Sequence, residues 1–208
     1  LSSDKYKLLI IKKYYKYTYD KFYVNQILDD LETFQSKSDY VTFILENCYY
    51  MISINEICYF IDKIKDPICN HEMLKKFHDK IIISSINDII TIIDHAGFDR
   101  NENKFLCMNH KFDVIKNLSL KINICDYQEI FILLNMFDNN YHVNILELFC
   151  RKMLEKDIIK IINDFDNMCM CKFLPFRNKN NFSDIISALH NDKLRISYVK
   201  YKIDKNIY

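Results

Sequence analysis

The chain has 208 residues, half of them hydrophobic, with 29 basic and 28 acidic side chains. That length and apolar content can bury a substantial core, whereas the balanced charge argues against the basic surplus or stripe that nucleic-acid binding requires. A single Gly (Gly97) and two Pro (Pro67, Pro175) argue against sheets joined by tight turns, and exclude a Gly-rich phosphate loop or dinucleotide fingerprint.

In chain order, the run from Asp4 to Tyr19 sets apolar residues against lysines at helical spacing. It predicts a core helix with solvated lysines rather than a membrane-surface helix. Val24-Asn25 reads as a break before a helix carrying Leu28, Leu31 and Phe34. The cluster Ser36-Lys37-Ser38-Asp39 reads as a breaker that caps a helix from Tyr40 to Leu45. After a loop from Asn47 to Met51, Ile52-Ser53-Ile54-Asn55-Glu56 leads into a helix through Ile61. Lys65-Asp66-Pro67 stops it and marks a division into residues 1–66 and 67–208, with a second candidate boundary near residue 135.

Helices follow from His71 to Phe77, and from Ile86 to His95 with Gly97 as its C-cap. Asp99 to Asn103 reads as an N-capping loop before a helix from Lys104 to Ile115. Next come a helix from Ile130 to Phe137, a polar turn from Asp138 to His142, a helix carrying Val143, Glu147, Leu148 and Cys150, and another from Ile158 to Phe165. Asp166 to Phe176 reads as a loop, Ser183 as the cap of a helix through Leu189, and Ile196-Ser197 as a further break. No apolar run reaches the roughly 20 residues of a membrane span. The longest, Ile81 to Ile93, is interrupted by Ser84, Ser85, Asn87 and Asp88.

Eight cysteines are scattered on apolar faces without a framework, which suits free, buried thiols in a reducing, cytoplasmic compartment. Leu1 as first residue suits a trimmed or partial chain. Cys169 and Cys171 lack the second pair that zinc sites usually show, and His190 alone does not supply it. Asp29 and Asp30 are adjacent and face apart on a helix, so they form no acid/base pair. The Tyr14, Tyr15, Tyr17 and Tyr19 cluster reads as core edge rather than a base-stacking platform. Nothing singles out a catalytic Cys–His pair, and the expected chain is not an enzyme.

Val24-Asn25, Ile52-Ser53, Ile83-Ser84, Ile122-Asn123, Val143-Asn144 and Ile196-Ser197 each follow a helix and a polar turn and precede another helix. Glu56, Asp126 and Glu147 stand four residues after the apolar member. This pattern resembles the EF-hand superfamily of calmodulin, centrin and myosin light chains. The resemblance implies an all-α array of degenerate helix-loop-helix units in two lobes, with short β-pairs between loops at most. It places the vestigial metal oxygens at Asp138, Asn140 and Glu147. Calcium is disfavoured even there, because the loop is short and carries Tyr141 and His142 where oxygens are wanted; no other cofactor is implied.

The resemblance further implies a calcium-independent light-chain-like or scaffold subunit that clamps an amphipathic helix of a partner protein. The residues expected to line the groove are Phe131, Met136, Phe137, Phe149, Met153, Phe165, Met168 and Met170. Two alternatives stand beside it: a helical interaction domain unrelated to EF-hands, and a calmodulin-like regulatory segment of a larger kinase or phosphatase.

Overall fold

A computed structural model of the chain describes residues 3–14, 21–98, 104–174 and 179–205. The Asp99 to Asn103 loop, Tyr15, Tyr17 and Tyr19, and Pro175 lie outside the described residues. The described chain is helical: α1 Ser3–Tyr14, α2 Lys21–Asp30, α3 Phe34–Asn47, α4 Ile54–Ile64, α5 Pro67–Phe77, α6 Ile86–Ala96, α7 Lys104–Ser119, α8 Tyr127–Asn135, α9 Asn139–Phe149, α10 Glu155–Phe165, α11 Lys179–Ala188 and α12 Asp192–Asp204. Short 3-10 turns span His78–Lys80, Cys150–Lys152 and Met168–Phe173. Among the described residues the only β-pairing is a single parallel bridge between Ile52 and Ile81.

Contacts divide the chain into two compact units, residues 1–84 with 88–118, and residues 85–87 with 119–208. The division expected at residue 66 falls inside the first unit. Asp66 caps α5, its Oδ1 accepting from the Cys69 N–H at 2.8 Å, and Pro67 occupies the first helical position, where its missing N–H costs nothing. Lys65 turns the chain in the left-handed conformation (φ 59°). The Lys-Asp-Pro string therefore makes a tight corner between two packed helices rather than a linker.

Local side-chain capping sets several helix starts. Thr33 Oγ1 accepts from the Ser36 N–H at 3.1 Å, so α3 begins at Phe34 and the expected breaker from Ser36 to Asp39 is its first turn. Ser36 and Ser38 are consequently buried. Ser53 and Glu56 form a capping box: Ser53 Oγ accepts from the Glu56 N–H, and Glu56 Oε2 accepts from the Ser53 N–H at 3.1 Å. Asp126 Oδ1 accepts from the Glu129 N–H at 2.9 Å and starts α8. Glu56 and Asp126, expected at acidic metal-ligand positions, thus work as helix caps.

Ser183, expected to cap a helix, lies inside α11, and three of the six expected apolar–polar breaks are helical. Val24, Val143 and Ile196 lie inside α2, α9 and α12, whereas Ile52, Ile83 and Ile122 lie outside helices as expected. The polar run after Asp138 is the first turn of α9. His142, Ile145, Leu146 and Phe149 are all buried, and their helical spacing stacks them on one face of α9. That face can be buried only if the helix starts at Asn139, so the loop expected from Asp138 to Glu147 does not form. With Val143 helical, Ile122 has no paired extended residue there either.

The two units share one internal repeat. In the first, Ile52, the capping pair Ser53 and Glu56, α4, α5 and a 3-10 turn ending at Lys80 follow in order. In the second, Cys125, the capping pair Asp126 and Glu129, α8, α9 and a 3-10 turn ending at Lys152 do the same. Asp66, Asn70, Met73, Leu74, Phe77 and Lys80 recur at one constant offset as Asp138, His142, Ile145, Leu146, Phe149 and Lys152. The next helix, α6 or α10, then carries Ile89, Ile92 and Ile93 or Ile158, Ile161 and Ile162 into the core. Each ends on a left-handed residue, Gly97 (φ 68°) or Asp166 (φ 45°).

The repeat is closed in the same way both times. The N–H of the residue before the capping pair donates to the carbonyl of the lysine that ends the unit: Ile52 to Lys80 at 2.7 Å, Cys125 to Lys152 at 3.3 Å. In the first unit the Ile82 N–H returns a bond to the Ile52 carbonyl at 2.8 Å. The lysine ammonium then reaches back to an earlier helix end. Lys80 Nζ donates to the Leu45 and Cys48 carbonyls at 2.5 and 2.8 Å, and Lys152 Nζ to the Ser119 carbonyl at 2.6 Å. A cation there satisfies orphan carbonyls and complements the negative helix terminus.

Candidate functional site

The residues flanking the closures form an unusual surface. Ile52 and Cys125 are buried, yet Met51 and Ile124 immediately before them are exposed, Ile124 at 83%. Two residues after each lysine, Ile82 and Leu154 are also exposed. The alternation follows from extended backbone: successive side chains point to opposite faces, so one enters the core and its neighbour faces water. Tyr49 (103%) and Tyr50 extend the first edge, and Leu120 (79%) extends the second. Exposed single hydrophobics are ordinary. Their recurrence at equivalent positions of two repeats is not required by either core.

The first edge opens into a cleft of about 580 Å³ between α2, α3 and the start of α4. Its walls are mainly apolar, with Val24, Ile44, Tyr59 and Phe60 beside Tyr50. Its Ser53 and Glu56 are engaged in the capping box, so their polar atoms serve the helix rather than a catalytic role. In the second unit a cleft of about 750 Å³ brings Leu148, Glu147 and Arg151 against Met153, Lys172 and Phe173.

The eight side chains expected to line a helix-binding groove do not form one. Phe137, Phe149 and Met170 are core residues. Phe131, Met136, Met153 and Phe165 are half-buried, and Met168 is exposed. Phe165 packs edge-on to His142 (4.7 Å) and against Phe131 (5.4 Å), which closes the space between α8, α9 and α10. The cause is the helical start of α9, which turns its apolar stripe inward and leaves no opened helix pair.

The expected metal oxygens are likewise not brought together. Asp138 is the N-cap of α9, Asn140 lies in its first turn, and exposed Glu147 stands about two turns further along. Among the described residues no group of three or more His, Cys, Asp or Glu is placed to hold a metal ion. Cys171 is buried with its Sγ against the Leu194 carbonyl, Cys169 is exposed, and His190 is bonded to Asn163.

Four of the buried thiols are not activated. Burial pushes Cys58 and Cys171 up to about 11, and Cys69 and Cys125 up to about 12, so these thiols stay protonated and inert. Two histidines, half-buried His71 and buried His110, are pushed below the ordinary imidazole range, chiefly by loss of hydration. None of the described helices is long and apolar enough to cross a membrane. Compared with known proteins, the chain matches no family model, no curated protein and no solved structure at a significant level.

The exposed edges are hidden in the sequence, where the Met and Phe residues between 131 and 170 are the more conspicuous candidates for a groove. The signal was present in the pairing of Ile52-Ser53-x-x-Glu56 with Cys125-Asp126-x-x-Glu129, followed in each case by a lysine closing the next helix.

Proposed function

We propose that the chain is a non-enzymatic protein-interaction module that takes an amphipathic helix of a partner against the apolar edges of its repeats. The observation that carries this reading is the recurrence of Met51 and Ile82 as Ile124 and Leu154, large side chains held in water at equivalent places in two units. A helix presenting apolar anchors at i, i+4 and i+7 could bury such side chains and fill the apolar cleft beside Tyr50. The reading needs no metal, since the caps and lysine closures hold the repeats by hydrogen bonds among their own residues.

The test is selection of displayed amphipathic helices on the full chain, in calcium and in chelator. The expected outcome is enrichment of peptides with helical apolar spacing that bind equally in both media. Their affinity should fall by about tenfold or more in Met51→Asp or Ile124→Asp, since one desolvated anchor is worth upwards of 1 kcal/mol. Both positions are exposed, so these variants keep the fold. Failure to enrich such peptides over polar controls, or binding indifferent to both substitutions, would overturn the reading.

A further inference from the structure

In the first unit, His71 of α5 and His110 of α7 stack face to face, with ring centroids 4.1 Å apart and planes inclined by 11°. The Phe98 ring closes on both edge-on, at 6.4 Å from His71 and 5.9 Å from His110. His110 is 9% exposed and the His71 side chain 12%. The buried His110 Nδ1 has no hydrogen-bond partner, and His71 Nε2 faces only the Asp113 carboxylate, at 3.5 Å. Two neutral imidazoles stack well in such a place, but a proton on either ring creates a charge largely stripped of water, and a second creates two like charges in contact.

We propose that this stacked pair is a proton-operated clasp: neutral, it holds α7 against α5, and proton uptake releases that contact.

Of the described charged side chains, Asp113 and Lys75 act on the pair. Asp113, one turn beyond His110 on α7, places Oδ2 3.5 Å from His71 Nε2. It favours a proton on His71, but its side chain is 49% exposed and its field is screened by solvent. Lys75, one turn beyond His71 on α5, opposes protonation. Phe98 contributes an apolar wall. Desolvation is the largest influence on both rings and outweighs Asp113.

The sign follows. Both rings have lowered affinity for protons when packed, so the open form binds more protons as pH falls through about 6.5. The closed contact is fully stable above that value and weakens below it. The weakening continues until the pH reaches the lowered value of the packed rings.

Amide hydrogen exchange of the full chain, followed between about pH 7.5 and 5.5 and corrected for intrinsic rates, tests this. Protection of the α7 amides should fall by up to about tenfold per pH unit for each proton taken up, while α8 to α10 amides hold theirs. His71→Gln and His110→Gln should each blunt the step, and Asp113→Asn should shift its midpoint to lower pH by removing the one charge that favours the proton. Protection of α7 that ignores pH, or a step that survives in both glutamine variants, overturns the proposal. If the glutamine variants do not fold, proton NMR of the wild-type imidazoles decides. Two rings titrating at or above the ordinary histidine value would refute the clasp, and depressed titrations coincident with α7 opening would support it.

Discussion

Replacing Lys80 with Met is the sharpest probe of how the repeats are closed. Methionine keeps an apolar stem of similar length but removes the ammonium that donates to the Leu45 and Cys48 carbonyls. A hydrogen bond to a charged group is worth about 1.5–3 kcal/mol when removal strands its partner. A cation at a helix C-terminus adds about 0.3–1 kcal/mol. Both carbonyls are part-buried and partly rehydrated after the substitution, so the two bonds are discounted, leaving an expected loss of about 2–4 kcal/mol. Lys152→Met removes one such bond, to the Ser119 carbonyl, and with the same discount should cost about 1–2.5 kcal/mol. Urea unfolding followed by circular dichroism reads both, as a lowered midpoint at unchanged slope. A loss under about 0.5 kcal/mol for both variants, the usual size for a surface substitution, would refute the claim that these lysines close the repeats.

Three further outcomes follow from the same packing. Leu146→Asp should unfold its unit, because the side chain is fully buried and an unpaired charge there cannot be hydrated, while half-buried Leu148→Asp should leave a folded protein; equal loss of the thermal transition in both would place the wrong face of α9 inward. Glu147→Gln should leave thermal unfolding the same in calcium and in chelator, and a calcium-dependent difference in the parent protein would contradict this. Asp4 Oδ2 accepts from the Thr33 and Glu32 N–H groups at 3.0 and 3.1 Å, and these bonds hold its carboxyl below the ordinary range. Its stabilising contribution is therefore present above about pH 4 and lost as pH falls toward the lowered value, so Asp4→Asn should flatten the acid limb of the stability profile measured by denaturant titration.

Much of the fold was legible from local chemistry. The Asp66-Pro67 corner, the Gly97 C-cap and the Ser53 and Glu56 start all lie where their side chains dictate, because capping depends on atoms a few residues apart. Where legibility failed, the same local string admitted two outcomes. An apolar residue followed by a small polar one and an acid can introduce a helix after a loop, as at Ile52, or sit within one, as at Val143. Ser36 and Ser38 look like caps, yet Thr33 had already taken that role. The candidate site was harder still. Exposure of Met51 and Ile124 depends on which neighbour the core claims, and two consecutive apolar residues look alike until one is buried.

The amino-acid order alone determined that this chain would be helical and where a few helices begin, among them α6 at Ile86 and α7 at Lys104, because one glycine and two prolines leave little else for the backbone to do. Only the tertiary structure decided that α9 starts at Asn139, that Lys80 and Lys152 close equivalent repeats, and that Met51 and Ile124 remain in water. Those choices rest on which surfaces distant helices bury together, and burial is a property of the assembled core rather than of neighbouring residues.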